Sequence, residues 1–115
     1  MSDLAAKAVV TLGEGKEARH IPVIELTPAG MRQMLLADPW PGPDATAEDH
    51  ARYRIDVTLF EECRLTDLAV FTGLPLHEVE QIPPSQLRKL LDKAKDLNPD
   101  FFRALRTGGE AQSKA

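Results

Sequence analysis

The order of apolar and polar positions predicts a short β-hairpin followed by a run of helices. Lys7 to Leu12, KAVVTL, is short and rich in β-branched residues, and Glu17 to Leu26, EARHIPVIEL, returns as a second strand. Gly13-Glu14-Gly15-Lys16 between them reads as the turn, because glycine adopts positive φ without steric cost. Pro22 has no N–H to donate, so its strand lies at an edge or carries a bulge.

Helical spacing takes over at Thr27. Thr27 as N-cap and Pro28 at the first helical position open a helix with an apolar stripe of Met31, Met34 and Leu35. Gly30 keeps it short, and the proline-rich loop Asp38-Pro39-Trp40-Pro41-Gly42-Pro43 stops it near Ala37. Thr46 to Glu62 reads as the longest helix, with Glu48 and Asp49 in its first turn complementing the helix dipole. Its apolar positions Ala47, Ala51, Ile55 and Leu59, supported by Phe60, recur every four residues and are expected to face the core. Two short helices follow, with Thr66 as a cap. From Pro84 the chain shows its cleanest amphipathic helix, with Leu87, Leu90, Leu91, Ala94 and Leu97 on one face. Asn98-Pro99 ends it and starts a last turn or two, Asp100 to Arg106. The fold class expected is α+β, mainly α: an N-terminal hairpin and about five short helices in a single domain, residues 1–106. Residues 107–115, TGGEAQSKA, are a polar tail with nothing to bury, expected to be disordered.

The stretch Thr66 to Ile82, TDLAVFTGLPLHEVEQI, has the cadence of a helix-turn-helix, whose second helix commonly enters the DNA major groove. Its second helix, LHEVEQ, carries Glu78 and Glu80 and no Lys or Arg, whereas DNA affinity comes mainly from cations neutralising phosphates. The better reading is a structural corner. Small Ala69 and Gly73 let two helices meet, and Leu68, Leu76, Val79 and Ile82 fill the angle.

Composition narrows the class. The chain has 115 residues and 43% hydrophobic content, ordinary for one globular domain. Its net charge of −4 gives no general pull toward nucleic acid or an acidic membrane surface. One cysteine, Cys63, excludes an intrachain disulfide framework and fits a reducing compartment. No apolar run approaches the roughly 18 residues of a membrane span, and no secretory signal is visible.

Catalytic chemistry finds little to work with. His20, His50 and His77 are far apart, and Cys63 after Glu61-Glu62 lacks the paired spacing of a zinc site. A buried free thiol at a helix end is the better reading of Cys63. Neighbouring Glu61 and Glu62 point about 100° apart on a helix and do not converge on one substrate. No phosphate-binding glycine loop precedes a helix. The expectation is a binding or assembly protein with no enzyme activity, metal or cofactor.

The C-terminal half carries a resemblance. LFEE at Leu59 to Glu62, the Leu65 to Leu68 step LTDL, the EVE segment, the proline-initiated PSQLRKLL and NPDFF at Asn98 to Phe102 occur in an order that resembles the tail assembly chaperones of long-tailed bacteriophages, Mu-like and related. IPVIELTPAGMRQML also looks like that family's first strand leading into its first helix. The likeness spans residues 20–106, and the DPWPGPD loop, Pro75 and Pro83 depart from it. It implies a protein of the bacterial host cytoplasm that binds the tape-measure protein, a long helical chain with apolar stripes, and keeps it soluble until tail-tube protein displaces it. A helix-turn-helix regulator and a small tail or connector protein of the virion remain the alternatives. Neither nucleic acid nor membrane is expected as a partner of the chaperone; self-association is possible through its locally acidic and basic segments.

Aromatic scarcity picks the candidate contact residues. Of six aromatics, three sit away from the main apolar stripes: Trp40 in its proline-locked loop, and Phe101 and Phe102 in the last helix. Trp40 is either a binding residue or a lid folded onto the core. Adjacent Phe101 and Phe102 diverge on a helix, so one is core and the other partner-facing, unless a cleft buries both. Leu105 extends the Phe101 face. The expected partner-binding set is Trp40, Phe101, Phe102 and Leu105.

Overall fold

A computed structural model describes residues 5–105; the polar tail expected at residues 107–115 lies outside them. Strand β1 spans Lys7–Leu12 and β2 spans Arg19–Ile24, paired antiparallel from Lys7↔Ile24 to Leu12↔Arg19. The pairing is continuous, so Pro22 sits opposite Val9 without a bulge; in a two-stranded sheet every strand is an edge. Gly13 and Gly15 take positive φ (79° and 63°) in the connection, which contains a 3-10 turn at Gly15–Glu17. Alternation puts Leu12, Ile21 and Val23 inward.

Helices follow: α1 Pro28–Leu36, α2 Ala47–Thr58, α3 Leu65–Thr72, α4 Leu76–Val79, α5 Pro84–Leu97 and, among the described residues, α6 over 99–105. Helix α5 lies against both strands and α3, and the core forms there from Val23, Leu68, Phe71, Val79, Leu90 and Leu91. Its stripe of Leu87, Leu90, Leu91 and Ala94 is buried as the period requires. Thr27 Oγ1 accepts the Gly30 N–H at 3.1 Å, giving α1 the N-cap expected of it. Met34 is the buried residue of that helix; Leu35, expected beside it, is exposed.

Three local expectations need correction. Helix α2 ends at Thr58, four residues early, because Phe60 and Cys63 turn into the core. Arg64, not Thr66, is the N-cap residue of α3. Thr66 instead donates its N–H (3.0 Å) and its hydroxyl (2.6 Å) to the carboxylate of Asp56 on α2. Gly73 is not a point of close approach, since a Cβ there would meet nothing within 4 Å. It ends α3 in the left-handed region, φ 75°, with its N–H donated to Ala69 O.

Polar side chains clamp the elements together. Arg64 grips Asp67 (2.6 Å) and donates to the Met34 and Ala37 carbonyls at the C-terminus of α1, where a cation suits the helix dipole. Asn98 is 3% exposed. Its Oδ1 accepts the Leu26 N–H at 2.8 Å, and its Nδ2 donates to the carbonyls of Ile24 (3.1 Å) and Ala94 (2.9 Å). One amide thus ties the exit of β2 to the end of α5.

Candidate binding surfaces

The four sequence candidates separate in space. Phe101 is a core residue, 7% exposed, edge-on to Phe71 at 6.1 Å. Phe102 is half-buried and stacks on Phe71 at 5.7 Å, leaving part of its ring in a cleft. Leu105 and Pro99 share that cleft of about 560 Å³ with Glu61, Glu62, Lys95 and Arg103. Trp40 lies elsewhere. Its indole, 48% exposed, packs 5.4 Å from both His50 and Tyr53 on α2, so it covers that helix instead of the core. Phe102 and Leu105 are brought together; Trp40 does not join them, and Phe101 is committed to packing.

The cleft is an apolar floor with an ionic wall. Glu62 accepts from Arg88 at 2.7 Å and from Lys95 at 3.3 Å. The Arg88 hydrogen bond holds its carboxyl below the usual carboxylate range against the opposing effect of burial. Arg88 also lies over the Phe60 ring at 4.8 Å, which fixes the bend between α2 and α3 beside the cleft. Cys63 in that bend is buried, and burial pushes its thiol up to about 12, the opposite of an activated nucleophile. Among the described residues no group of three or more His, Cys, Asp or Glu is arranged to hold a metal ion, and no helix is long and apolar enough to cross a membrane.

A second surface was hidden in the sequence. Helix α2 is oriented opposite to expectation: its one buried side chain is Asp56, at 2% exposure, while Ile55 is 51% exposed and Ala47, Ala51 and Leu59 also face out. The buried position of α2 is Asp56, and Phe60 turns into the core just past the helix end. Asp56 faces inward because it satisfies the Thr66 N–H in the first turn of α3, where a free donor needs an acceptor and an anion suits the dipole. The outward ridge borders a groove of about 650 Å³, whose other wall is Leu65, Ile82, Pro84 and Leu87. Phe60, four residues after Asp56 and off the register of Ala51, Ile55 and Leu59, was the sequence signal for the buried side.

No family model, curated protein or solved structure matches the chain, so its functional reading rests on this geometry and on the order of its motifs.

Proposed function

We propose that this chain is a tail assembly chaperone of a long-tailed bacteriophage, binding an apolar helical segment of the tape-measure protein and keeping it soluble in the host cytoplasm until tail-tube protein takes its place. The observation that carries the reading is the bare apolar ridge of α2. A helix that buries an aspartate and exposes Ile55 and Leu59 leaves apolar area for a partner, and helix-in-groove docking is the binding mode such a surface suits. Phe102 with Leu105, and separately Trp40, offer further apolar contacts. The motif order from LFEE to NPDFF, with its likeness to tail assembly chaperones, supplies the identity of the partner.

A DNA regulator is disfavoured by its would-be reading helix. Helix α4 is a single turn, and Glu78 within it and Glu80 just after it pair with Arg19 (3.1 Å) and Arg52 (3.6 Å). Co-expression with a candidate tape-measure protein tests the proposal. The chaperone raises the partner's soluble yield, co-purifies with it and is missing from finished virions. Failure to co-purify removes the chaperone reading; retention in virions replaces it with a connector role.

A further inference from the structure

We infer that the groove between α2 and the α4–α5 junction is the primary docking site and that its occupant is a cationic amphipathic helix of about three turns. The inference rests on the reading of the chain as a helix-binding chaperone and adds where the partner sits and what charge it carries.

The groove has the dimensions of a helix seat. From Glu48 to Leu59 the ridge makes eleven steps of about 1.5 Å, roughly 17 Å or three turns. Ala51, Ile55 and Leu59 form one wall, and Ile82, Pro84 and Leu87 form the other. Polar contacts help hold the α2 wall in place. Asp56 pins that helix to α3 through Thr66, and Arg52 reaches Glu80 beside α4 at 3.6 Å. The ridge is therefore presented already ordered, and a partner loses less entropy in docking to a preformed seat.

Charge decides the occupant. The rim holds Glu48 and Glu80 against the guanidinium of Arg52, and that guanidinium is already engaged by Asp49 at 3.5 Å as well as by Glu80. Two rim carboxylates against one guanidinium leave the groove lining at −1, and Asp49 just behind it further offsets Arg52. A partner helix with Leu or Ile on one stripe and Lys or Arg beside it meets apolar wall with apolar stripe and carboxylate with cation. An acidic helix meets like charge, which costs affinity and association rate. A second copy docking groove to groove brings the same acidic rim and is disfavoured for the same reason.

Synthetic helices of about four turns provide the probe, read by fluorescence anisotropy against the full chain. One carries a leucine stripe flanked by lysines, the second the same stripe flanked by glutamates. The lysine helix binds at least about tenfold more tightly than the glutamate helix, and added salt narrows the gap. Ile55→Glu weakens the lysine helix by at least about tenfold, as expected for a central groove residue. Circular dichroism of this variant stays native, because position 55 is exposed. Equal binding of the two helices, or an unchanged affinity in Ile55→Glu, overturns the inference. Concentration-dependent dimers in sedimentation, lost in Ile55→Glu, overturn it in favour of a second copy. The functional reading fails separately: if the lysine helix binds but tape-measure protein never co-purifies, the groove stands and the partner's identity falls. If tape-measure protein co-purifies equally with Ile55→Glu, the chaperone stands and the groove falls.

Discussion

Replacing Asn98 by alanine removes one side chain that bonds three backbone groups, two of which have no other partner to fall back on. The amide is buried, accepts from Leu26 N–H at 2.8 Å and donates to the Ile24 and Ala94 carbonyls at 3.1 and 2.9 Å. Ala94 O already accepts the Asn98 N–H within the helix end, so it keeps a partner. Leu26 N–H and Ile24 O lose theirs. Each buried group left unsatisfied costs about 1–3 kcal/mol, so Asn98→Ala destabilises the fold by about 2–4 kcal/mol after partial relaxation. For a domain of this size that lowers Tm by about 8–15 °C. Urea titration followed by circular dichroism gives the free energy, and a thermal scan gives the shift. Asn98→Asp sharpens the test. Its carboxylate still accepts from Leu26 but turns a second oxygen toward two carbonyls, which with burial raises its pKa above the unfolded value. The variant is therefore least stable at neutral pH and regains stability as pH falls and the carboxyl protonates. A stability loss below about 0.5 kcal/mol for Asn98→Ala, or an Asp variant insensitive to pH, refutes the claim that this amide joins the hairpin to α5.

Leu90→Ala and Leu91→Ala each cost about 2–5 kcal/mol in urea titrations, because both side chains are fully buried between α5 and the hairpin. Arg88→Ala costs about 0.5–1 kcal/mol at neutral pH, more than an isolated surface residue, since Arg88 pairs with Glu62 and covers Phe60. Because Arg88 depresses the folded pKa of Glu62, the stability from this pair is present above the unfolded value of 4.5 and fades as pH falls through the folded one; the gap between wild type and Arg88→Ala closes at acid pH. Cys63 resists a thiol reagent in native protein at pH 8 and reacts promptly in urea. With its folded pKa raised from 9.0 to about 12, its contribution to stability is full below pH 9 and lost as pH rises through 12.

Local chemistry was readable in the sequence where neighbours along the chain decide the outcome. KAVVTL forms β1 at the expected residues, Thr27-Pro28 caps α1, and the Leu87 to Ala94 stripe points α5 inward. What was not readable depends on partners far along the chain. Ala51, Ile55 and Leu59 make a stripe at helical spacing, but spacing does not say whether the stripe meets core or solvent. In α2 the choice is made by Asp56, ten residues from the Thr66 it caps. Asn98 looked like a simple helix stop; its bonds reach back 72 and 74 residues to the hairpin exit. Of the candidate contact residues, Phe102 and Leu105 do share a cleft, whereas Phe101 is taken by Phe71 and Trp40 lies on another helix. Two adjacent phenylalanines carry no phase information of their own, so the sequence left open which one the core takes.

Hydrogen–deuterium exchange on the full chain, alone and mixed with a helical segment of a candidate tape-measure protein, tests the central claim most directly. A chaperone that seats its partner in the α2 groove shows slowed exchange across Ala47–Thr58 and at the α4–α5 junction, with the two strands unchanged. Exchange that is the same everywhere with and without the segment contradicts it.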